Sequence, residues 1–353
     1  MKLSAYNQAA RAHVLIASML IEIGSVRHVL RYTARANSLL NCEGDVWTRC
    51  HLYNVLARRA LMMGQHKDAL KWHLKALEGA QKLHLSPNER LLLEWTDAEI
   101  EANYGNPNQA LERLSKISEE ARILGCSRLQ ALACRSQGLL YARFDDIDKG
   151  LEALNVALGM AQEMNDVILH ANLLSDIAEG ALALEARRTA RSTTEVCLGM
   201  AQQTHQKALI ARCLANTACL QISGGLYEKA MRTLRKAHKT AVALRCVGLW
   251  TRILGLLASL YANPENPQYN PSRANLIYRR LMGVYERYEM KLERAQMLPQ
   301  YAEFLLRTRQ NMAALNAYRM ARGIYLRLGL DAAAEKVQVQ IEQIMRDNSL
   351  TNS

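Results

Sequence analysis

Leu158-Gly159-Met160-Ala161-Gln162 recurs letter for letter as Leu198-Gly199-Met200-Ala201-Gln202, one 40-residue step later. The same step, carried outward, accounts for nearly the whole chain of 353 residues. A first column reads Ala17, Ala57, Ala98, Gly138, Ala178, Ala218, Ala258 and Ala302. A second reads Val29, Ala69, Ala110, Gly150, Ala190, Ala230, Ala274 and Ala314. A third reads Ala36, Ala76, Ile117, Ala157, Cys197, Ala237, Leu281 and Ala321. Alanine or glycine fills fifteen of the sixteen places in the first two columns. Where two helices cross, a methyl or a hydrogen lets the backbones come close and a larger side chain holds them apart. A period of this length predicts a stacked array in which each unit packs on its neighbours.

Between the first and second columns lies a turn, with glycine at Gly24, Gly64, Gly105 and Gly225 and with Asp145 or Glu185 elsewhere. Glycine there is expected to supply the left-handed conformation that ends a helix. Each repeat therefore reads as helix A, turn, helix B. In repeat two, helix A is expected from about Thr48 to Met63 and helix B from about His66 to His84. Ser86-Pro87-Asn88-Glu89 then opens the next helix as a capping box with proline at its first position. Apolar residues recur at three- and four-residue spacing within these segments, as amphipathic helices require. Asn263 to Pro271 holds three prolines and stretches the second-column step from Ala230 to Ala274 to 44 residues. It reads as a loop insertion, 263–271, between helices A and B of repeat seven. The array is thus expected over 1–330, a capping helix begun by Asp331 over 331–346, and a flexible polar tail over 347–353.

Composition agrees with an all-α chain. Half the residues are hydrophobic, yet only two are phenylalanine and six are proline. The net charge of +12 permits an acidic partner, nucleic acid included. Eight cysteines form no CxxC pair and several fall on apolar faces, where cysteine acts as a small hydrophobe. With no signal-peptide pattern in Met1 to Gly24 and no apolar run of about 18 residues, a cytoplasmic or nuclear setting with reduced thiols is expected.

A small residue, a glycine turn seven residues on, alanine five after that and alanine seven later resembles the tetratricopeptide (TPR) pattern. Ala57, Gly64, Ala69 and Ala76 fit it, as do Ala218, Gly225, Ala230 and Ala237. The resemblance covers essentially the whole chain, although the usual TPR unit is 34 residues. The longer unit is similar to the arrays of kinesin light chain, LGN/Pins spindle adaptors, MalT-type bacterial regulators and subunit 5 of the anaphase-promoting complex. The resemblance implies a right-handed superhelical solenoid of about eight hairpins whose concave face, lined by helix A, holds a partner peptide or helix. By that analogy the inward positions include His51, Asn54, Arg58, Trp95, Glu99, Arg135, Leu139, Asn172, Glu179, Arg212, Asn216 and Arg252. Arginine and asparagine there would meet a peptide's carbonyls and carboxylates, or would simply solvate an inner face. The Lys/Asn carboxylate clamp of chaperone-binding TPRs is not reproduced, which argues against a chaperone C-terminus as ligand. The function expected is a non-enzymatic protein-interaction scaffold or adaptor in a larger complex. The alternatives are a ligand-sensing regulatory module and a nucleic-acid-associated helical repeat.

Sharper chemistry finds little footing. Asp145-Asp146-Ile147-Asp148 lacks the glycine and terminal glutamate of a calcium loop, and capping explains acids at a helix start. No HExxH, catalytic triad or phosphate loop is present, so no metal, cofactor or catalytic residue is expected. Basic residues gather on the outer helices of the second half, among them Arg187, Lys229, Arg235, Lys236, Arg279 and Arg280. They read as an acidic-partner docking ridge or as a solvated convex face. Without interleaved aromatics to stack bases, nucleic acid is the weaker partner. Tyrosines concentrate in the last third, where Tyr285 and Tyr325 stand one period apart and point to packing between repeats.

Overall fold

A computed structural model describes residues 2–40, 45–144 and 146–350. Cys42, Asp145 and the last three residues of the expected tail lie outside this description. Among the described residues eight helical hairpins follow one another. They are α1 (Lys2–Glu22) with α2 (Val26–Leu39), α3 (Val46–Met62) with α4 (His66–Ala80), α5 (Pro87–Tyr104) with α6 (Pro107–Ile123), and α7 (Ser127–Arg143) with α8 (Ile147–Glu163). The second half adds α9 (Val167–Ala183) with α10 (Arg187–Gln203), α11 (Lys207–Ser223) with α12 (Tyr227–Leu244), α13 (Val247–Ala262) with α14 (Pro271–Arg287), and α15 (Lys291–Arg307) with α16 (Asn311–Arg327). A last helix, α17 (Asp331–Leu350), closes the row. The fold is a TPR-like helical solenoid.

Every residue of the three small-residue columns is buried. The two helices of a hairpin meet along the first and second columns, and the third packs the outer helix between its own inner helix and the next repeat, as Ala76 does against Cys50 and Leu93. At the α7–α8 crossing a Cβ on Gly150 would lie 2.8 Å from the Gly138 carbonyl oxygen, and one on Gly138 would lie 2.8 Å from that of Gly150. The two glycines therefore touch backbone to backbone. α17 buries Ala334, Val337, Ile341 and Ile344 in the same core as Tyr325, Leu328 and Leu330, so it covers the apolar face of the last hairpin. Tyr278, Tyr285, Tyr318 and Tyr325 are all buried in that core.

Caps and turns follow local chemistry. Glu89 accepts from the Ser86 backbone N–H at 2.9 Å and closes the capping box. Burial would raise its pKa, but bonds from Ser86 and Trp47 and the charge of His51 outweigh this and bring it down to about 2. Gly24, Gly64 and Gly225 take left-handed φ values, and Glu185 does the same at φ 56°. Gly105 departs from the expected left-handed turn, with φ −105°. Here Asn106 caps the next helix and Pro107 begins it, while the Glu101 side chain covers the glycine where a Cβ would stand. The asparagine and proline end the connection without a left-handed residue.

The coils of the solenoid close on one another. Glu22 at the end of α1 accepts from Arg128 of α7, with Nη1 at 3.1 Å from Oε1. The α1–α2 turn lies against the start of α11, so that a Cβ on Gly24 would come 2.8 Å from the Ala208 Cβ. Further along, Lys67 meets Glu289 at 3.1 Å and Asn108 Nδ2 donates to the Gly329 carbonyl at 3.2 Å. Gly24 and Gly225 share φ +71°, but only Gly24 has a neighbouring coil within 4 Å. Gly225→Ala is expected to cost about 1–2 kcal/mol, the left-handed penalty alone. Gly24→Ala should cost more and reduce hydrogen-exchange protection at the start of α11. Equal urea midpoints for the two variants would show that the coils do not bear on each other.

Candidate functional site

Seven of the helices A turn one face inward. A cavity of about 300 Å³ is lined only by residues of α1, α3, α5, α7, α9, α11 and α13 and of the turns beside them. Ile21, Leu132, Leu169 and Leu249 give it apolar walls, and Arg58, Trp95, Glu99, Arg135, Leu139, Asn172 and Arg212 enter it. A second chamber of about 430 Å³ shares Arg135, Leu139 and Arg212 with the first and adds Asp176, Glu179 and Gln296. The two chambers thus adjoin on either side of an ionic bridge.

The bridge centres on Asp176, whose side chain is fully buried. Arg135 Nε donates to its Oδ2 at 2.6 Å, and Arg212 donates to Oδ1. Arg212 also donates to Glu179 at 2.8 Å, and Glu179 accepts from Arg252 Nη1 at 2.8 Å. Arg252 in turn donates to Asn216 Oδ1 at 2.7 Å. Burial would raise the Asp176 pKa, but the two guanidiniums outweigh it and hold the carboxyl below the usual range. Burial would lower that of Arg212, but Glu179 and Asp176 raise it well above its ordinary value. Toward the N-terminus, Arg58 lies 3.8 Å from Glu22 and 5.3 Å above the Trp95 ring, whose Nε1 donates to Ser136 Oγ at 3.1 Å. Arg128 joins Glu22 to Asp166 at 2.8 Å.

The twelve inward positions therefore divide. Arg58, Trp95, Glu99, Arg135, Leu139, Asn172 and Arg212 line the first chamber, and Glu179 lines the second. Arg252 reaches the network through Glu179 and Asn216. Asn54 and Asn216 are buried, at 2% and 0% exposure, within the helix packing. His51 lies apart, its ring tilted 45° against that of Trp47 and 3.4 Å from Glu89. Glu22, Arg128, Ser136 and Asp176 belong to the site and were not picked out from the sequence. Asp176 stands 40 residues from both Ser136 and Asn216, so a charge in an otherwise neutral column was the one available signal.

Among the described residues, no group of three or more His, Cys, Asp or Glu side chains is arranged to hold a metal ion. No helix among them is long and apolar enough to cross a membrane.

No protein-family model matches the chain, and no curated protein matches it in sequence. Solved structures share its architecture. A Rap protein complexed with competence and sporulation factor superposes with a TM-score of 0.62 at 12% identity, covering 97% of this chain and 98% of that one. NprR in complex with its cognate peptide NprX gives 0.56 at 13% identity, covering 87% and 89%. At these identities the likeness is one of fold.

Proposed function

We propose that this chain is a non-enzymatic scaffold that receives an extended peptide or helix of a protein partner in its inner channel. The observation that carries this reading is the channel itself, walled by seven successive helices A that combine leucine surface with aligned polar side chains. Pockets that bind ligands pair apolar walls with a few placed polar groups. Two structures with the same architecture support it, since one holds competence and sporulation factor and the other the peptide NprX.

The ionic bridge divides the labour among the inward residues. Arg135, Asp176, Arg212, Glu179 and Arg252 satisfy one another and act as the frame. Trp95, Glu99, Leu139 and Asn172 are the side chains left to meet a ligand. Asn172 donates to its own helix at Ile168, 2.9 Å away, so its carbonyl oxygen remains available to a peptide N–H. A pre-built frame limits the ordering entropy lost by the receptor on binding.

A photo-crosslinking amino acid at position 139 is expected to capture the partner, and Leu139→Arg should weaken its co-purification about tenfold while leaving the helical circular dichroism intact. Asn172→Ala should have a smaller effect in the same direction. Cross-links arising only from the outer helices would overturn the reading.

A further inference from the structure

The positive charge of this protein has a definite location. Helices α10, α12, α14 and α16, all on the outer side, carry fifteen lysine and arginine residues against three glutamates. The difference of twelve equals the net charge of the whole chain, so everything else sums to zero. The four outer helices before them, α2, α4, α6 and α8, carry ten basic residues against eight acidic.

Within the last three of the four basic helices, α12, α14 and α16, the charge is also in register. Arg235, Arg279 and Arg319 each stand five residues beyond the second-column alanine of their repeat, and all three are exposed. The same place in earlier repeats holds Ala34, Leu74, Ser115, Asn155 and Glu195. Among the described residues none of the fifteen is in an ion pair, whereas the inner-face arginines are paired throughout. Glu286, one of the three acids, turns away to Arg294 of α15 at 3.9 Å. Uncompensated like charge raises the free energy of the folded array through self-repulsion. An approaching polyanion would relieve it.

The kind of polyanion follows from what lies between the arginines. Leu276 is 69% exposed, one helical turn from Arg273, Arg279 and Arg280. Met320 and Leu326 are 45% and 44% exposed beside Arg319 and Arg327. A phosphate backbone has no apolar surface to cover such side chains, and no aromatic side chain on the four helices is exposed for a base to stack on. Carboxylates suit the planar arginine fork, and exposed aliphatics among arginines match the composition of protein interfaces.

We propose that the Arg235–Arg279–Arg319 ridge is a second docking surface, independent of the inner channel, for an acidic amphipathic segment of a partner protein. In such a segment Asp or Glu flanks leucine or aromatic side chains. The acids meet the ridge and the apolar residues cover Leu276 and Met320.

Three labelled probes test this on the full chain at low salt. They are a 20-residue helical peptide with glutamates on one face and leucines on the other, polyglutamate of equal charge, and a 20-base-pair DNA duplex. The peptide is expected to bind, and Arg235→Glu/Arg279→Glu/Arg319→Glu should weaken it by at least about tenfold. The single change Arg279→Glu should act in the same direction if the triple variant is poorly folded. Leu276→Ser should weaken the peptide about threefold and leave polyglutamate unmoved. Leu74→Ser, exposed at the same place on the outer helix α4, should change none of these values. Duplex DNA binding more tightly than the peptide would make the ridge a nucleic-acid surface and overturn the proposal. Peptide binding insensitive to the arginine changes, or binding of no probe at all, would overturn it equally.

Discussion

Asp176→Asn is expected to lower the stability of the array by about 3 kcal/mol at neutral pH. Removing one partner of a buried ion pair costs about 3–5 kcal/mol because the remaining charge is left without compensation. Arg135 and Arg212 keep 25% and 21% side-chain exposure, so water relieves part of that loss and the lower end of the range applies. The sign with pH follows from the depressed carboxyl pKa. A group held below its unfolded value stabilises fully above about pH 3.9 and loses that contribution as pH falls through the folded value. The gap between native and variant should therefore narrow on acidification, as the native side chain also becomes neutral. Urea unfolding at pH 7 and near pH 3 measures this, and a gap that widened at low pH would refute the assignment. Because repeats stabilise one another only locally, hydrogen exchange should rise first in α7, α9 and α11.

Gly150→Val is expected to cost about 3 kcal/mol and to part α7 from α8. Its Cβ would face the Gly138 carbonyl at 2.8 Å and the Ala142 backbone nitrogen at 3.2 Å. Neither is the end of a flexible side chain, so relief requires the helices to move, and overpacking of this kind costs about 1–3 kcal/mol or more. The repeated Leu-Gly-Met-Ala-Gln stretch supplies the control. Gly159 and Gly199 have open space where a Cβ would stand. Gly159→Ala and Gly199→Ala should each stabilise by up to about 1 kcal/mol through helix propensity alone. If Gly150→Val were as harmless as these, backbone contact at the α7–α8 crossing would not be what the column requires.

The contrast among these glycines shows how far reading along the chain can reach. The 40-residue step located the hairpins and the crossings, because a solenoid asks each repeat for the same few small residues. It did not distinguish Gly105 from Gly24, which differ only in whether Asn-Pro follows. The inward residues were legible as a face, since helix A positions repeat with the period. Their partners were not. Asp176 takes its arginines from α7 and α11, and nothing local marks which neighbour a buried carboxylate will meet. The basic ridge was visible as a list of residues, but its lack of counter-ions and the exposure of Leu276 among arginines required the folded surface.

What the sequence determined by itself is the architecture, since packing between neighbouring repeats is short-ranged and leaves its mark at a fixed spacing. What only the tertiary structure decided is how the coils close and how the charges pair. Arg128 reaches Glu22 across 106 residues and Asn108 reaches Gly329 across 221. Contacts at such distances depend on the accumulated curvature of every repeat between them. No single repeat encodes that curvature, so it becomes readable only when the whole array is folded.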